Sequence, residues 1–297
     1  MRLGTNTVFD VAVSWTRPSQ LYAGAVWGLY VTDSCGSTWE QVFGYSPPTL
    51  ASSLAQAVAT DPSGRTYVSM WGNTSQTTIH IRPDDTRTWA AVDGYGGKIF
   101  PVATGGFSVS AAGRIYAQVV STSSIRNAEA FGYSDDGGVT WTIRRGIVLP
   151  RVDADPLDRT VLYAFGWREP QQPPPGATPG IPPDLLSSAP PYPLIRSSDS
   201  GVTFQPWSQV DERPGELAVS ADGSRFWIAS YNQHLWQSRD RGQSWQILDA
   251  MPFSDPRQLA VHPHDPRLLY AVSGDGYIWV YREPDRPASS AAAAQIP

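Results

Sequence analysis

The octapeptide Ser134-Asp135-Asp136-Gly137-Gly138-Val139-Thr140-Trp141 recurs along the chain. Ser197-Ser198-Asp199-Ser200-Gly201-Val202-Thr203-Phe204 and Ser238-Arg239-Asp240-Arg241-Gly242-Gln243-Ser244-Trp245 repeat its pattern of hydroxyl, Asp, Gly, hydroxyl and aromatic. Two further copies are degraded. Thr32–Trp39 carries Ser34 where the Asp belongs, and Arg82–Trp89 keeps an Asp but loses the Gly. The chemistry of the pattern is local. An Asp in a tight turn accepts backbone N–H groups just ahead of it. The Gly supplies a positive φ that a Cβ would penalise. The second hydroxyl closes the turn, and the aromatic opens the next strand with a large apolar face to bury. A carboxylate that returns once per repeat serves the fold, because a catalytic one has no reason to repeat.

A second pattern precedes each copy: an apolar strand, a Pro or Gly turn, then a strand that starts near an aromatic. Leu259–Ala271 is its fullest form, with Asp265-Pro266 in the turn and Tyr270 in the second strand. Val11–Ala23 and Asp155–Ala164 follow it, and shorter turns lead to Tyr67, Tyr116 and Phe226. Fixed-period self-similarity of this kind marks a repeat architecture, with six units. Composition agrees: 297 residues hold 26 Gly and 27 Pro among 12 Trp, 13 Tyr and 9 Phe, which favours short strands over long helices. Net charge of −5 argues against nucleic acid as a partner. One cysteine, Cys35, excludes an internal disulfide framework and a multi-cysteine metal site. No run approaches the roughly 20 apolar residues that span a bilayer.

These octapeptides resemble the Asp-box, or bacterial neuraminidase repeat, family of β-propellers, over nearly all of residues 8 to 282. The resemblance implies an all-β fold, a single six-bladed propeller of four-stranded antiparallel blades, with seven blades as the alternative. It also implies that the box joins the third and fourth strands of a blade on the side away from the ligand face. Asp136, Asp199 and Asp240 are then structural, as are the aromatics Trp39, Trp89, Trp141, Phe204 and Trp245. An extracellular or periplasmic location follows from the family, although no signal peptide is visible at Met1–Asn6.

The propeller is expected over residues 1–282, with 283–297 as a flexible tail. The sixth unit stops without a box, which would leave an unpaired edge. Residues 1–7 are expected to supply the missing outer strand. Residues 169–193, rich in proline, interrupt the fourth blade between its second and third strands. Pro density forbids a ladder there, so the segment is a surface insertion or an arm over the ligand face.

Ligands of closed propellers sit on the loops between blades and between second and third strands. Those loops supply the binding candidates Trp71, Arg126, Trp167, Arg168, Tyr231, His234 and Arg257. Aromatic and charged groups together suit a carbohydrate. The family's sialidases clamp a carboxylate with three Arg and use a Tyr–Glu nucleophile with an Asp acid/base. Tyr231, Glu212 and Asp211 are the residues for those roles here. Those enzymes also carry an Arg-Ile-Pro-like phrase before the first box, whereas residues 1–31 hold only Arg2 and Arg17, in other contexts. The reading is therefore a non-catalytic module for a protein or glycan partner, with a sialidase-like glycoside hydrolase as the alternative. No cofactor and no metal site are expected, and His262 with His264 is read as part of a repeat turn.

Overall fold

The computed structural model describes residues 3, 6–44, 54–71, 77–83, 88–92, 100–101, 106–110, 112–120, 130–145, 152–166, 181, 185 and 187–284. Twenty-four strands and no α-helix form among them. Blade one is β1 (Val8–Val13), β2 (Leu21–Ala25), β3 (Gly28–Thr32) and β4 (Glu40–Phe43). Blade two is β5 (Leu54–Thr60), β6 (Thr66–Trp71), β7 (Thr77–Arg82) and β8 (Ala90–Val92). In blade three the innermost strand is split into β9 (Phe100–Pro101) and β10 (Phe107–Val109), both paired to β11 (Ile115–Val120), with β12 (Ala130–Ser134) and β13 (Thr142–Arg145) outside. Blade four is β14 (Val152–Ala154), β15 (Leu162–Phe165), β16 (Tyr192–Ser197) and β17 (Gln205–Val210). Blade five is β18 (Pro214–Val219), β19 (Phe226–Ser230), β20 (His234–Ser238) and β21 (Gln246–Ala250). Blade six has three strands, β22 (Pro256–His262), β23 (Asp265–Ser273) and β24 (Ile278–Arg282).

Every sheet is an antiparallel meander in chain order. The innermost strands β1, β5, β10, β14, β18 and β22 touch in succession, and β22 touches β1. That closed ring of sheets is a six-bladed β-propeller. The hydrophobic core is divided into six clusters, and each joins two neighbouring blades. Strand alternation explains this: Leu21 faces blade six while Tyr22 faces blade two. No blade owns a core, so the stability of each depends on its neighbours.

The second pattern sets one buried aromatic in each blade. Tyr22, Tyr67, Tyr116, Tyr163, Trp227 and Tyr270 occupy one register position in the six second strands. Blade five differs from the sequence reading by one residue, because Trp227 and not Phe226 stands at that position. Tyr67 and Tyr163 donate to the buried carboxylates of Asp61 at 2.7 Å and Asp155 at 2.6 Å. Trp227 has no hydroxyl for that task, and its indole N–H is buried without a partner among the described residues.

The octapeptides join third to fourth strands. Ser134 donates to Asp136 at 2.8 Å, Gly138 N–H donates to Ser134 Oγ at 2.7 Å, and Thr140 donates to Asp136 through N–H at 2.9 Å and hydroxyl at 2.6 Å. The copies at Asp199 and Asp240 repeat these bonds. The degraded first copy keeps the wiring with a hydroxyl in place of the carboxylate, since Thr38 N–H donates to Ser34 Oγ at 3.0 Å. Each closing aromatic packs toward the preceding blade. Trp89 stacks on Phe43 at 4.8 Å, Phe204 meets Phe131 edge-on at 6.5 Å, and Trp245 donates to Ser208 at 3.1 Å. Trp141 joins the blade-two cluster of Tyr67 and Ile79, and Trp39 packs on the cluster of Tyr270 and Ile278.

Among the described residues blade six has no such turn. Glu283, placed in the tail by the sequence reading, is buried and accepts from Arg225 at 2.8 Å, Gln237 at 3.2 Å and Arg239. Of residues 1–7, only Leu3, Asn6 and Thr7 are described, and none lies in a strand. Leu3 packs with Tyr270 and Ile278, and Val26 N–H donates to the Thr7 carbonyl at 3.2 Å. The seam between blades six and one is also held by histidines. His262 Nδ1 accepts the N–H groups of His264 and Asp265, so its Nε2 carries the proton and donates to the Pro18 carbonyl at 2.9 Å. His264 donates to the Trp15 carbonyl at 2.6 Å.

β15 ends at Phe165 and β16 begins at Tyr192, so the proline-rich segment stands between second and third strands. Most of it lies outside the described residues. Ile181 and Leu185 are buried in the cluster between blades three and four. Gly166 admits that approach, because a Cβ there would stand 2.1 Å from the Leu185 carbonyl.

Candidate functional site

The meander puts the octapeptides and the turns between first and second strands at one end of the ring. The connections between blades and the turns between second and third strands lie at the other. Around blade five this second end brings together Asp211, Glu212 and Arg213 from the β17–β18 connection, Tyr231 and His234 from the β19–β20 turn, and Asp255 and Arg257 at the start of β22.

Glu212 is the hub. Its carboxylate, largely buried, accepts from Ser230 Oγ at 2.7 Å, His234 Nδ1 at 2.6 Å and Trp236 Nε1 at 3.0 Å. Desolvation opposes its ionisation but is outweighed by these donors, and the carboxyl is held below its ordinary range. Glu212 also fixes His234, whose Nδ1 donates to it and whose Nε2 has no partner among the described residues. Such an imidazole can accept a hydrogen bond or a proton. His234 and Trp236 reach the same carboxylate because alternate residues of a strand share a face.

Tyr231 packs under the Arg213 guanidinium, 4.4 Å from the ring centroid. Burial pushes its phenol up, with Asp255 and Glu216 adding to the effect and Arg213 and Arg257 opposing it. A phenol serving as nucleophile needs the opposite shift. The Arg257 Nε lies 3.8 Å from Asp255. Trp71 ends β6 on blade two, in register with Leu54 and Thr77, apart from this group. Arg126, Trp167 and Arg168 lie outside the described residues, so Arg257 is the one candidate arginine that is placed.

The carboxylates of the boxes take part in no such cluster. Asp136 and Asp240 are both pushed down to about 2. At Asp136 desolvation is outweighed by bonds from Thr140 and Ser134, and at Asp240 the Ser244 and Ser238 hydroxyls are the main causes.

Sequence reasoning missed a groove on the flank of the ring. Trp207, Trp236 and Trp245 line it together with Gln209, Asp211 and Gln243, and its volume is about 470 Å³. It runs between β17, the outer strand of blade four, and the end of the octapeptide turn of blade five, with Trp236 of β20. Trp207 is held by its N–H to the Arg241 carbonyl at 3.0 Å and by contact with the Tyr163 ring at 4.5 Å. The available signal was the density of Trp over 207–245, which the repeat pattern explains at only one of the three positions.

No family model matches the chain, and no curated protein is similar to it in sequence. Solved structures are similar to it in fold. YCF48 bound to D1 peptide matches with a TM-score of 0.56 at 13% identity, over 94% of this chain and 94% of that one. A chain of the mitotic checkpoint complex gives 0.59 at 12% identity, over 93% and 86%. Kuenenia stuttgartiensis hydrazine synthase gives 0.55 at 13%, over 95% and 97%. These neighbours have different roles at similarly low identity, so the likeness establishes the propeller and leaves function to the site.

Proposed function

We propose that the chain is a non-catalytic binding module, an Asp-box propeller that holds a rigid loop face toward a protein or glycan partner. One observation carries this reading: Glu212, the residue suited to activate a Tyr nucleophile, has its carboxylate taken by Ser230, His234 and Trp236. The upward push on Tyr231 points the same way. The octapeptide wiring supports the Asp-box assignment. Neighbours named for a bound peptide and for the nidogen/laminin complex support protein recognition as a use of this fold. Among the described residues no helix is long and apolar enough to cross a membrane.

A panel of fluorogenic glycosides that includes a sialoside tests the reading. No turnover is expected. Turnover that Glu212→Gln or Tyr231→Phe abolishes would make the chain a glycoside hydrolase.

A further inference from the structure

We propose that the flank groove between blades four and five binds a neutral carbohydrate chain. The inference deepens the reading of the chain as a binding module and rests on it. Three features define the ligand.

First, the groove is lined by three indole rings whose donors are withheld. The indole N–H groups of Trp207, Trp236 and Trp245 are engaged by the Arg241 carbonyl, Glu212 and Ser208. These bonds, with the edge-on contact of Trp207 and Trp245 at 6.2 Å, fix the rings in place. Fixed aromatic faces take up the C–H faces of pyranose rings without ordering cost at the moment of binding.

Second, the free polar groups both donate and accept. Gln209, Gln243 and Asp211 are exposed, and their side chains have no partner among the described residues. Two amides supply donors and acceptors, and the carboxylate only accepts. Hydroxyl groups satisfy all three. A polyproline segment, the other ligand of aromatic grooves, offers carbonyl acceptors and no N–H, so Asp211 would stay unmatched.

Third, the lining contains no Lys or Arg, and its single charge is Asp211. That excludes an acidic sugar. The volume of about 470 Å³ falls within the range of small-molecule sites.

The test is calorimetric titration with cellohexaose, xylohexaose and mannohexaose, with 3′-sialyllactose and decaproline as contrasts. At least one neutral hexasaccharide is expected to bind with Kd below about 1 mM. The Gln209→Ala/Gln243→Ala double variant should weaken it at least about tenfold without changing Tm, because neither side chain is bonded within the protein. Failure of all three hexasaccharides up to about 10 mM overturns the proposal. So does tighter binding of decaproline or 3′-sialyllactose. Sugar binding that survives the double variant overturns the groove while keeping the binding-module reading.

Discussion

The guanidinium of Arg241 donates to the carboxylate of Asp155 at 2.7 Å, across the boundary between blades four and five. Arg241 is the fourth residue of its octapeptide and has φ of 58°. The equivalent residues behave alike. Ser200 has φ of 58° and accepts from Arg114 of blade three at 2.7 Å. A Cβ on Gly137 would stand 2.7 Å from Arg65 of blade two. Cys35, at φ of 52°, adds to the effect of burial in pushing up Tyr270 of blade six. At Arg241 and Ser200 the fourth position therefore clasps the octapeptide to the blade before it, from a left-handed backbone.

Arg241→Ala leaves the wholly buried Asp155 with Tyr163 and two backbone donors but no cation. The expected loss is about 1–3 kcal/mol, read by urea unfolding. Arg241→Gly should lose less than Arg241→Ala, because Gly accepts the positive φ. Equal losses would show that the backbone at this position is not strained.

Gly242 and Gly113 share a left-handed backbone, with φ of 80° and 79°. A Cβ on Gly242 would stand 2.0 Å from Trp207 Cζ2, whereas one on Gly113 meets nothing within 4 Å. Gly113→Ala is expected to cost about 1 kcal/mol. Gly242→Ala should cost at least about 2 kcal/mol more by overpacking. Thermal melts of the two variants side by side check the contrast.

Acid should melt the octapeptides. Hydrogen bonds hold Asp136 and Asp240 down to about 2 in the fold, whereas an unfolded Asp titrates at about 3.9. Folded values below unfolded ones mean stability that is complete above pH of about 4 and is lost as pH falls toward about 2. Tm should drop across that window. The Asp136→Asn/Asp240→Asn variant should start lower at neutral pH and fall less steeply.

Much of the architecture was legible because it repeats. Six second-strand aromatics and the octapeptides announced six blades, and Ser34 could stand for an Asp because its hydroxyl also accepts the Thr38 N–H. The register at Phe226 and Trp227 was not legible, since two adjacent aromatics fit one pattern and only strand pairing separates them. The clasp was hidden because Cys35, Gly137, Ser200 and Arg241 share a position and a backbone but no chemistry. Glu283 was missed because nothing local marks a lone carboxylate that replaces a whole turn. At the site, Glu212 was visible as a loop acid, but its donors come from strands of the following blade. The flank groove arises from contact between two blades and has no contiguous signature.

His262 ties the turn of blade six to Pro18 of blade one. His262→Ala removes the bond to Pro18 and the acceptor for two backbone N–H groups. The expected cost is about 1–3 kcal/mol. His264→Ala, whose ring is more exposed, should cost less. Differential scanning calorimetry ranks the two, and the reverse order would move the weight of the seam to Trp15.

Ring closure underlies every inference above, and native-state hydrogen exchange at the seam tests it most directly. Amides of β1 (Val8–Val13) and β22 (Pro256–His262) should exchange as slowly as those of β19 (Phe226–Ser230) inside the ring, through one global opening. Exchange of β1 and β22 through a separate opening of much lower free energy, with β19 still protected, would contradict a closed propeller.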